Sequence, residues 1–202
     1  MRVIAGEAKG RPLKAVPGNR TRPTTDKVKE AVFSIIGPFF DGGMALDLFA
    51  GTGGLGIEAL SRGMDKAIFV DLEKASIDVI RHNLAAARME ERAEVYKNDA
   101  RRAIKLLHKR GLSFRLIFLD PPYRMKDVDE LMEELAAREL VEEGATVLVE
   151  HESDHHYSEQ IGHYSQVKRA VYGETAITIY SYRQTQHTGG LSTCQQQNDL
   201  NE

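Results

Sequence analysis

The sequence predicts an α/β fold built on a doubly wound, mostly parallel sheet. Between residues 44 and 150, short apolar runs alternate with amphipathic stretches of helical period. The apolar runs are continuous, which marks strands covered on both faces. Between the first run and the first amphipathic stretch lies Gly51-x-Gly53-x-x-Gly56, a glycine loop at a strand-to-helix turn.

The elements follow in order. Residues 2–16, "RVIAGEAKGRPLKAV", read as a small β-hairpin, and "PGNRTRPTT" after them is a loop of turn residues. Thr24 or Thr25 can cap a helix through "DKVKEAVFSII", with Ala31, Val32, Ile35 and Ile36 on its apolar face and Gly37-Pro38 as its stop. Then come strand "MALDLF" and helix "GLGIEALSRG", strand "KAIFVD" and helix "KASIDVIRHNLAAARM", strand "AEVYKND" and helix "ARRAIKLLHKR", strand "FRLIFLD" and helix "KDVDELMEELAARE", and strand "ATVLVE". A polar segment, "HESDHHYSEQ", is expected to be a solvated loop, since its histidine spacing fits no common metal site. "YSQVKRAVYG" and "ETAITIYSY" are separated only by a turn and predict an antiparallel hairpin, for seven strands in the sheet. Three regions result: a basic N-terminal hairpin and helix, 1–38; a main α/β domain, 39–183; and a polar tail, 184–202, expected to be mobile because it has almost nothing to bury.

Composition narrows the class. Hydrophobic residues at 42% and charged residues at 28% suit a water-soluble globular chain. No apolar run is long enough to span a membrane and the start lacks a signal segment, so a cytoplasmic protein is expected. Cys194 is the single cysteine, which excludes an internal disulfide and a cysteine zinc site; no metal is expected. Net charge is −3, yet residues 1–38 carry eight Lys/Arg against three acids, leaving −8 for the rest. A basic arm on an acidic body fits a polyanionic partner met on one face. Arg11, Lys14, Arg20 and Arg22 are the candidate phosphate contacts.

The glycine loop by itself reads as a dinucleotide fingerprint, with Asp71 about 20 residues past the first glycine. Asp47 argues against a dinucleotide. It lies in the preceding strand and points to the mouth where a pyrophosphate would sit, and it would repel that charge. S-adenosylmethionine carries a sulfonium and an ammonium instead, which an acidic mouth attracts. Asp71 can then accept from the ribose hydroxyls and Asp99 from the adenine amino group. The fourth strand ends abruptly in Asp120-Pro121-Pro122-Tyr123. In a doubly wound sheet the first and fourth strands flank the ligand crevice, so Asp120 faces the cofactor. A carboxylate and the rigid Pro121 carbonyl can hold the two hydrogens of an exocyclic ring amine and free its lone pair, while Tyr123 offers a stacking face. A base inside a duplex must be flipped out to reach such a pocket.

These residues resemble the amino-methyltransferases of class I, Rossmann-like fold. From about residue 2 to 183 the chain is similar to the RsmD family, on "VIAGEAKGRPL", "TRPTTDKVKEAVFSII", "DLFAGTGGLGIEALSRG", "NDA", "DPPY" and "VYGETAITIY". The resemblance implies S-adenosylmethionine-dependent methylation of a guanine 2-amino group in small-subunit (16S) ribosomal RNA, by a monomer, with rRNA met in a small-subunit particle. It implies cofactor contacts from Asp47, Phe49, Ala50, Gly51, Gly53, Asp71, Asn98 and Asp99, and catalysis by Asp120, Pro121, Pro122 and Tyr123. One departure is Asp71, where the family pattern has glutamate; Glu73 is the fallback for the ribose. Two other readings stay open. One is an amino-methyltransferase acting on DNA adenine or a protein glutamine, although the chain has no separate domain for DNA target recognition. The other is a non-catalytic RNA-binding assembly factor, against which the intact Asp120 and glycine loop count.

Overall fold

A computed structural model of the chain describes residues 1–17, 26–122, 125 and 127–184. Eight strands form one sheet in the order β3-β2-β1-β4-β5-β8-β7-β6. The parallel part comprises β1 (Met44–Asp47), β2 (Lys66–Asp71), β3 (Ala93–Lys97), β4 (Phe114–Leu119) and β5 (Val141–Glu152). Then β6 (Gln160–Ile161), β7 (Tyr164–Tyr172) and β8 (Thr175–Tyr182) close the edge in antiparallel pairing. The chain runs from β1 outward to β2 and β3, then returns to β4 on the other side. The crevice between β1 and β4 is therefore the switch point of the sheet.

Alternation along each strand sends side chains to two cores. Ala45, Phe69, Phe118 and Leu148 face α1 (Asp26–Ile36), α2 (Gly54–Ser61) and α3 (Lys74–Ala87), packing with Phe33, Leu60 and Ile80. Leu46, Ile68, Ile117 and Val147 face α4 (Ala100–Lys109) and α5 (Val128–Ala137), packing with Ile104 and Leu131. Gly56 of α2 lies directly over Phe69, where a Cβ would come within 2.3 Å of the ring, so only glycine lets this helix sit down on the sheet.

The structure corrects the sequence reading in four places. The sheet has eight strands rather than seven, because Gln160–Ile161 adds a two-residue edge strand beside β7. The N-terminal hairpin is short: Arg2 and Pro12 form its single antiparallel bridge, flanked by bonds from Val3 N–H to the Arg11 carbonyl and from Leu13 N–H to the Met1 carbonyl, while the next two N–H groups, of Ile4 and Ala5, bond to the Glu58 side chain instead. The buried face of α1 is Lys29, Val32 and Phe33, with Ile35 exposed at 39%. The polar segment is not simply solvated: β5 extends through Glu152, and His151 is buried against Thr178, its Nε2 2.8 Å from the hydroxyl. The candidate caps Thr24 and Thr25, and the tail from residue 185, lie outside the described residues. Among the described residues no helix is long and apolar enough to cross a membrane.

Glu58 explains how the N-terminal segment is held. Its side chain on α2 is fully buried. One oxygen accepts from the Ile4 N–H at 2.8 Å and lies 3.4 Å from the Lys29 ammonium; the other accepts from the Ala5 N–H at 2.9 Å and the Arg62 guanidinium at 2.8 Å. Lys29 is itself fully buried and also donates to the Arg2 carbonyl at 2.6 Å. Burial lowers its pKa, and the Glu58 charge opposes that fall. Arg62 lies 4.7 Å over the Phe33 ring. One turn on, Ser61 accepts from the Ala8 N–H and donates to the Ala5 carbonyl. Gly6, at φ +83°, passes so close to the Ser61 carbonyl that a Cβ would come to 1.7 Å. Breaking a buried pair by removing one partner strands the remaining charge and donors, at a cost of about 3–5 kcal/mol. Glu58→Leu should lose that much in urea unfolding and expose the N-terminal segment to protease. A loss under about 1 kcal/mol would show that Glu58 does not hold it.

Candidate active site

The register of the parallel strands brings four acids to one place. Asp47 is paired with Phe69 on one side and Phe118 on the other, and Phe118 with Leu148. All of these lie on the sheet face that carries α1 to α3. Asp71, Asp120 and Glu150 each lie two residues beyond Phe69, Phe118 and Leu148, so alternation returns them to the same face, one step nearer the carboxyl end. The result is an acidic mouth at the ends of four adjacent strands.

Asp47 forms its floor. It is only 2% exposed, and its carboxylate accepts from the Gly56 N–H near the start of α2 at 3.1 Å. Burial pushes its pKa up to about 7, the Gly56 bond pulling the other way and Asp71 adding to the rise. Asp71 holds the loop above. One oxygen accepts from Gly51 N–H and the other from Glu73 N–H, both at 2.8 Å. The loop is fixed further by Ala50 N–H to the Val70 carbonyl at 2.9 Å and Gly53 N–H to the Ala50 carbonyl at 2.6 Å. Gly51 and Gly53 take φ of +51° and +74°, and a Cβ on Gly51 would meet only the Phe49 carbonyl, at 4.0 Å. The backbone there faces open space that a ligand can approach closely. Beside it, the Asn98 side chain accepts from the Asp99 N–H at 2.9 Å, and Asp99, exposed, caps α4 by accepting from Arg102 N–H at 3.1 Å.

Asp120 follows β4 at the switch point. Its carboxyl is held well above the usual carboxylate range by burial, and then by the charges of Glu150, Asp47 and Asp71. Pro121 is buried and Pro122 exposed. The Pro122 carbonyl accepts from the Met125 N–H at 2.8 Å. Tyr123 lies outside the described residues, as do Arg20 and Arg22.

The N-terminal segment reaches this mouth through Asn83 of α3, which is fully buried. Its amide accepts from Lys14 N–H at 2.7 Å and donates to the Lys14 carbonyl at 3.0 Å and the Thr52 carbonyl at 2.9 Å. One side chain thus ties the segment to the glycine loop. Arg11 donates to the Ala86 carbonyl at 3.2 Å, while the Lys14 side chain is exposed. Among the described residues no group of three or more His, Cys, Asp or Glu is arranged to hold a metal ion.

A glycine turn open to close approach, above a buried anionic floor, fits a cofactor that is cationic and lacks phosphate. That is the charge pattern of S-adenosylmethionine, and a pyrophosphate would meet the acids instead. The family described as Conserved hypothetical protein 95 matches residues 1–181. The chain belongs to this family. YlbH of Bacillus subtilis (strain 168), which carries an rRNA methyltransferase name, is 48% identical over 91% of this chain and 100% of its own length. Ribosomal RNA small subunit methyltransferase D of Escherichia coli (strain K12) is 30% identical, covering 89% of each chain. A solved structure of yhhF from Escherichia coli, described as a methyltransferase, superposes with a TM-score of 0.76 at 31% identity, over 91% of this chain and 98% of that one.

Glu150 is the site residue that the sequence reading missed. A signal was present: in or just after four of the strands an apolar residue is followed by an acid, Leu46-Asp47, Val70-Asp71, Leu119-Asp120 and Val149-Glu150.

Asp47 has a consequence for stability. Its pKa rises from 3.8 to about 7 on folding, so the folded chain binds more protons than the unfolded chain between those values. The stability linked to it is complete below about pH 4 and is lost as pH rises through 7. Asp47→Asn removes that loss. The stability gap between variant and wild type in urea unfolding should therefore grow from pH 5 to pH 8, by at most roughly 3 kcal/mol. A gap that stays constant with pH would contradict the buried, protonatable floor.

Proposed function

We propose that the chain transfers a methyl group from S-adenosylmethionine to the 2-amino group of a guanine in small-subunit (16S) ribosomal RNA, acting as a monomer on a small-subunit particle. Family membership and relatives named as rRNA methyltransferases support the methyl-transfer chemistry and the RNA substrate. The observation that carries the amine is Asp120-Pro121-Pro122 at the switch point, beside the acidic mouth.

In this reading Asp47 attracts the cationic end of the cofactor, and Phe49, Ala50, Gly51 and Gly53 let the backbone pass along it. Asp71 accepts from the ribose hydroxyls with the lone pairs left after its two backbone bonds. Asn98 and Asp99 border the adenine. When bound, the cofactor supplies an electrophilic methyl on a sulfonium. The Asp120 carboxylate and the Pro121 carbonyl accept the two hydrogens of the target amine, which turns its lone pair out of the ring plane. Pro122 contributes rigidity, because its own carbonyl is taken by Met125. Tyr123 stacks on the base. Arg11, Lys14, Arg20 and Arg22 contact phosphates, Lys14 from a segment that Asn83 ties to the glycine loop.

Mass mapping of rRNA from cells lacking this chain should show one small-subunit guanine without its 2-amino methyl group. An unchanged rRNA methylation map would reject the proposal. With purified enzyme, Asp120→Ala should lower methyl transfer about 100-fold or more while cofactor affinity stays within about threefold. Near-normal turnover would exclude Asp120 from the amine site.

A further inference from the structure

Helix α4 carries more positive charge than its packing explains. It follows β3 with Asp99 as its cap, and its buried face is Ala100, Ala103, Ile104 and Leu107. Two of its arginines are paired. Arg101 turns toward α5, where Asp127, Glu130 and Glu134 lie 2.5, 3.3 and 3.3 Å from its guanidinium. Arg110 holds Glu94 of β3 at 2.7 and 3.0 Å. Arg102, Lys105 and Lys109 are left over. All three are exposed, and none of their side chains has an ion pair or hydrogen bond among the described residues. Spaced i, i+3 and i+7, they share one stripe opposite the buried face.

Helix stability does not account for this stripe. Arg102 stands in the first turn, three residues after the cap, where the helix dipole and a capping box both favour an acid or glutamine. Lys105 lies one turn from Arg102 and one turn from Lys109, so like charges face each other along the helix and weaken it. A polyanion laid along the stripe relieves both defects. The stripe is about 10 Å long, enough for about two or three phosphates of one strand.

Its position suits the substrate. The start of α4 follows the carboxyl end of β3, beside β2 and Asp71, so the stripe begins at the rim of the acidic mouth. It belongs to the layer on the far side of the sheet from the N-terminal segment, which is held by α2 and α3. A strand that delivers a base to this mouth must keep its phosphates off the carboxylates. Cations in both layers, with the mouth between them, meet that need. Arg101 contributes indirectly, since it neutralises acids of α5 that would repel the same strand.

We infer that the outer face of α4 is a second phosphate-binding surface, on which Arg102, Lys105 and Lys109 hold the RNA backbone on one side of the mouth while the N-terminal segment holds it on the other. The inference rests on the proposed reading of small-subunit rRNA as substrate and is independent of which base is methylated.

The test uses the full-length enzyme, a labelled transcript of small-subunit rRNA, and small-subunit particles from cells lacking this chain. One variant combines Arg102→Gln, Lys105→Gln and Lys109→Gln, because glutamine keeps helix propensity. A control combines Lys66→Gln, Arg88→Gln and Arg115→Gln, which removes three exposed cations at the amino end of the sheet. At about 0.1 M salt the α4 variant should bind the transcript about 10-fold or more weaker than wild type. Its slope of log affinity against log salt should flatten by about 2, at roughly 0.7 per phosphate contact. On particles its KM should rise by a similar factor, while kcat, S-adenosylmethionine affinity and melting temperature stay near wild type. The control should keep most of the wild-type affinity and slope. Unchanged affinity and slope in the α4 variant overturn the inference, as does a control that loses as much. A KM rise on particles with unchanged transcript binding places an acidic protein on α4 in place of RNA, and overturns it too. Wild-type enzyme that transfers no methyl to rRNA in the particles overturns the parent reading and this inference with it.

Discussion

Carboxylates that share a low-dielectric site repel one another, and the carboxyl end of this sheet gathers four of them. Asp47, Asp71, Asp120 and Glu150 reach the same face because parallel register and two-residue alternation leave no other place for them. Burial and mutual repulsion push Asp47 up to about 7 and Asp120 well above its ordinary range. The free protein therefore holds a site that is only partly ionised at neutral pH, and a cation or a row of hydrogen-bond donors relieves it. Such a mouth suits a sulfonium cofactor on one side and the donor edge of a base on the other. The same groups weaken the folded state, so the rest of the fold must hold them rigidly, as is common where function requires strain or like charge.

Much of that rigidity comes from the first seventeen residues. Glu58 gathers two backbone donors, a lysine and an arginine into one buried cluster, and Asn83 ties Lys14 to the glycine loop through Thr52. A segment of net positive charge is thereby tied to the glycine loop. Its charges are not all free for a polyanion. Arg2 pairs with Asp26, and in the helix that follows Lys29 is consumed inside the Glu58 cluster.

The parallel sheet, the glycine loop and the Asp120 motif were legible in the sequence because each is a local signal: a continuous apolar run, a strand-to-helix turn, a strand broken by two prolines. The terminal hairpin was legible for the same reason. What escaped notice depends on contacts between distant segments. Lys29 is absent from the apolar face that the sequence marks on this helix, and only Glu58, 29 residues later, accounts for its burial. The N-terminal segment reads as a longer hairpin, but beyond the Arg2–Pro12 bridge the N–H groups of Ile4, Ala5 and Ala8 are satisfied by side chains of α2. His151 looks like part of a solvated loop, yet the long pairing of β5 with β8 carries it beside Thr178. Glu150 was in plain view at the end of "ATVLVE". Its importance emerges only from the register that sets it next to Asp120.

The acidic mouth is tested most directly by proton linkage in calorimetry. Titrations of the wild type with S-adenosylmethionine at pH 7, in buffers of different ionisation enthalpy, give the protons exchanged on binding. With Asp47 near half-protonated at a pKa of about 7, a cation placed above it should drive net release of roughly half a proton or more per cofactor bound. S-adenosylhomocysteine, which lacks the sulfonium charge, should release less. Binding of both ligands with no buffer dependence would mean that the carboxylates at the strand ends do not feel the cofactor's charge.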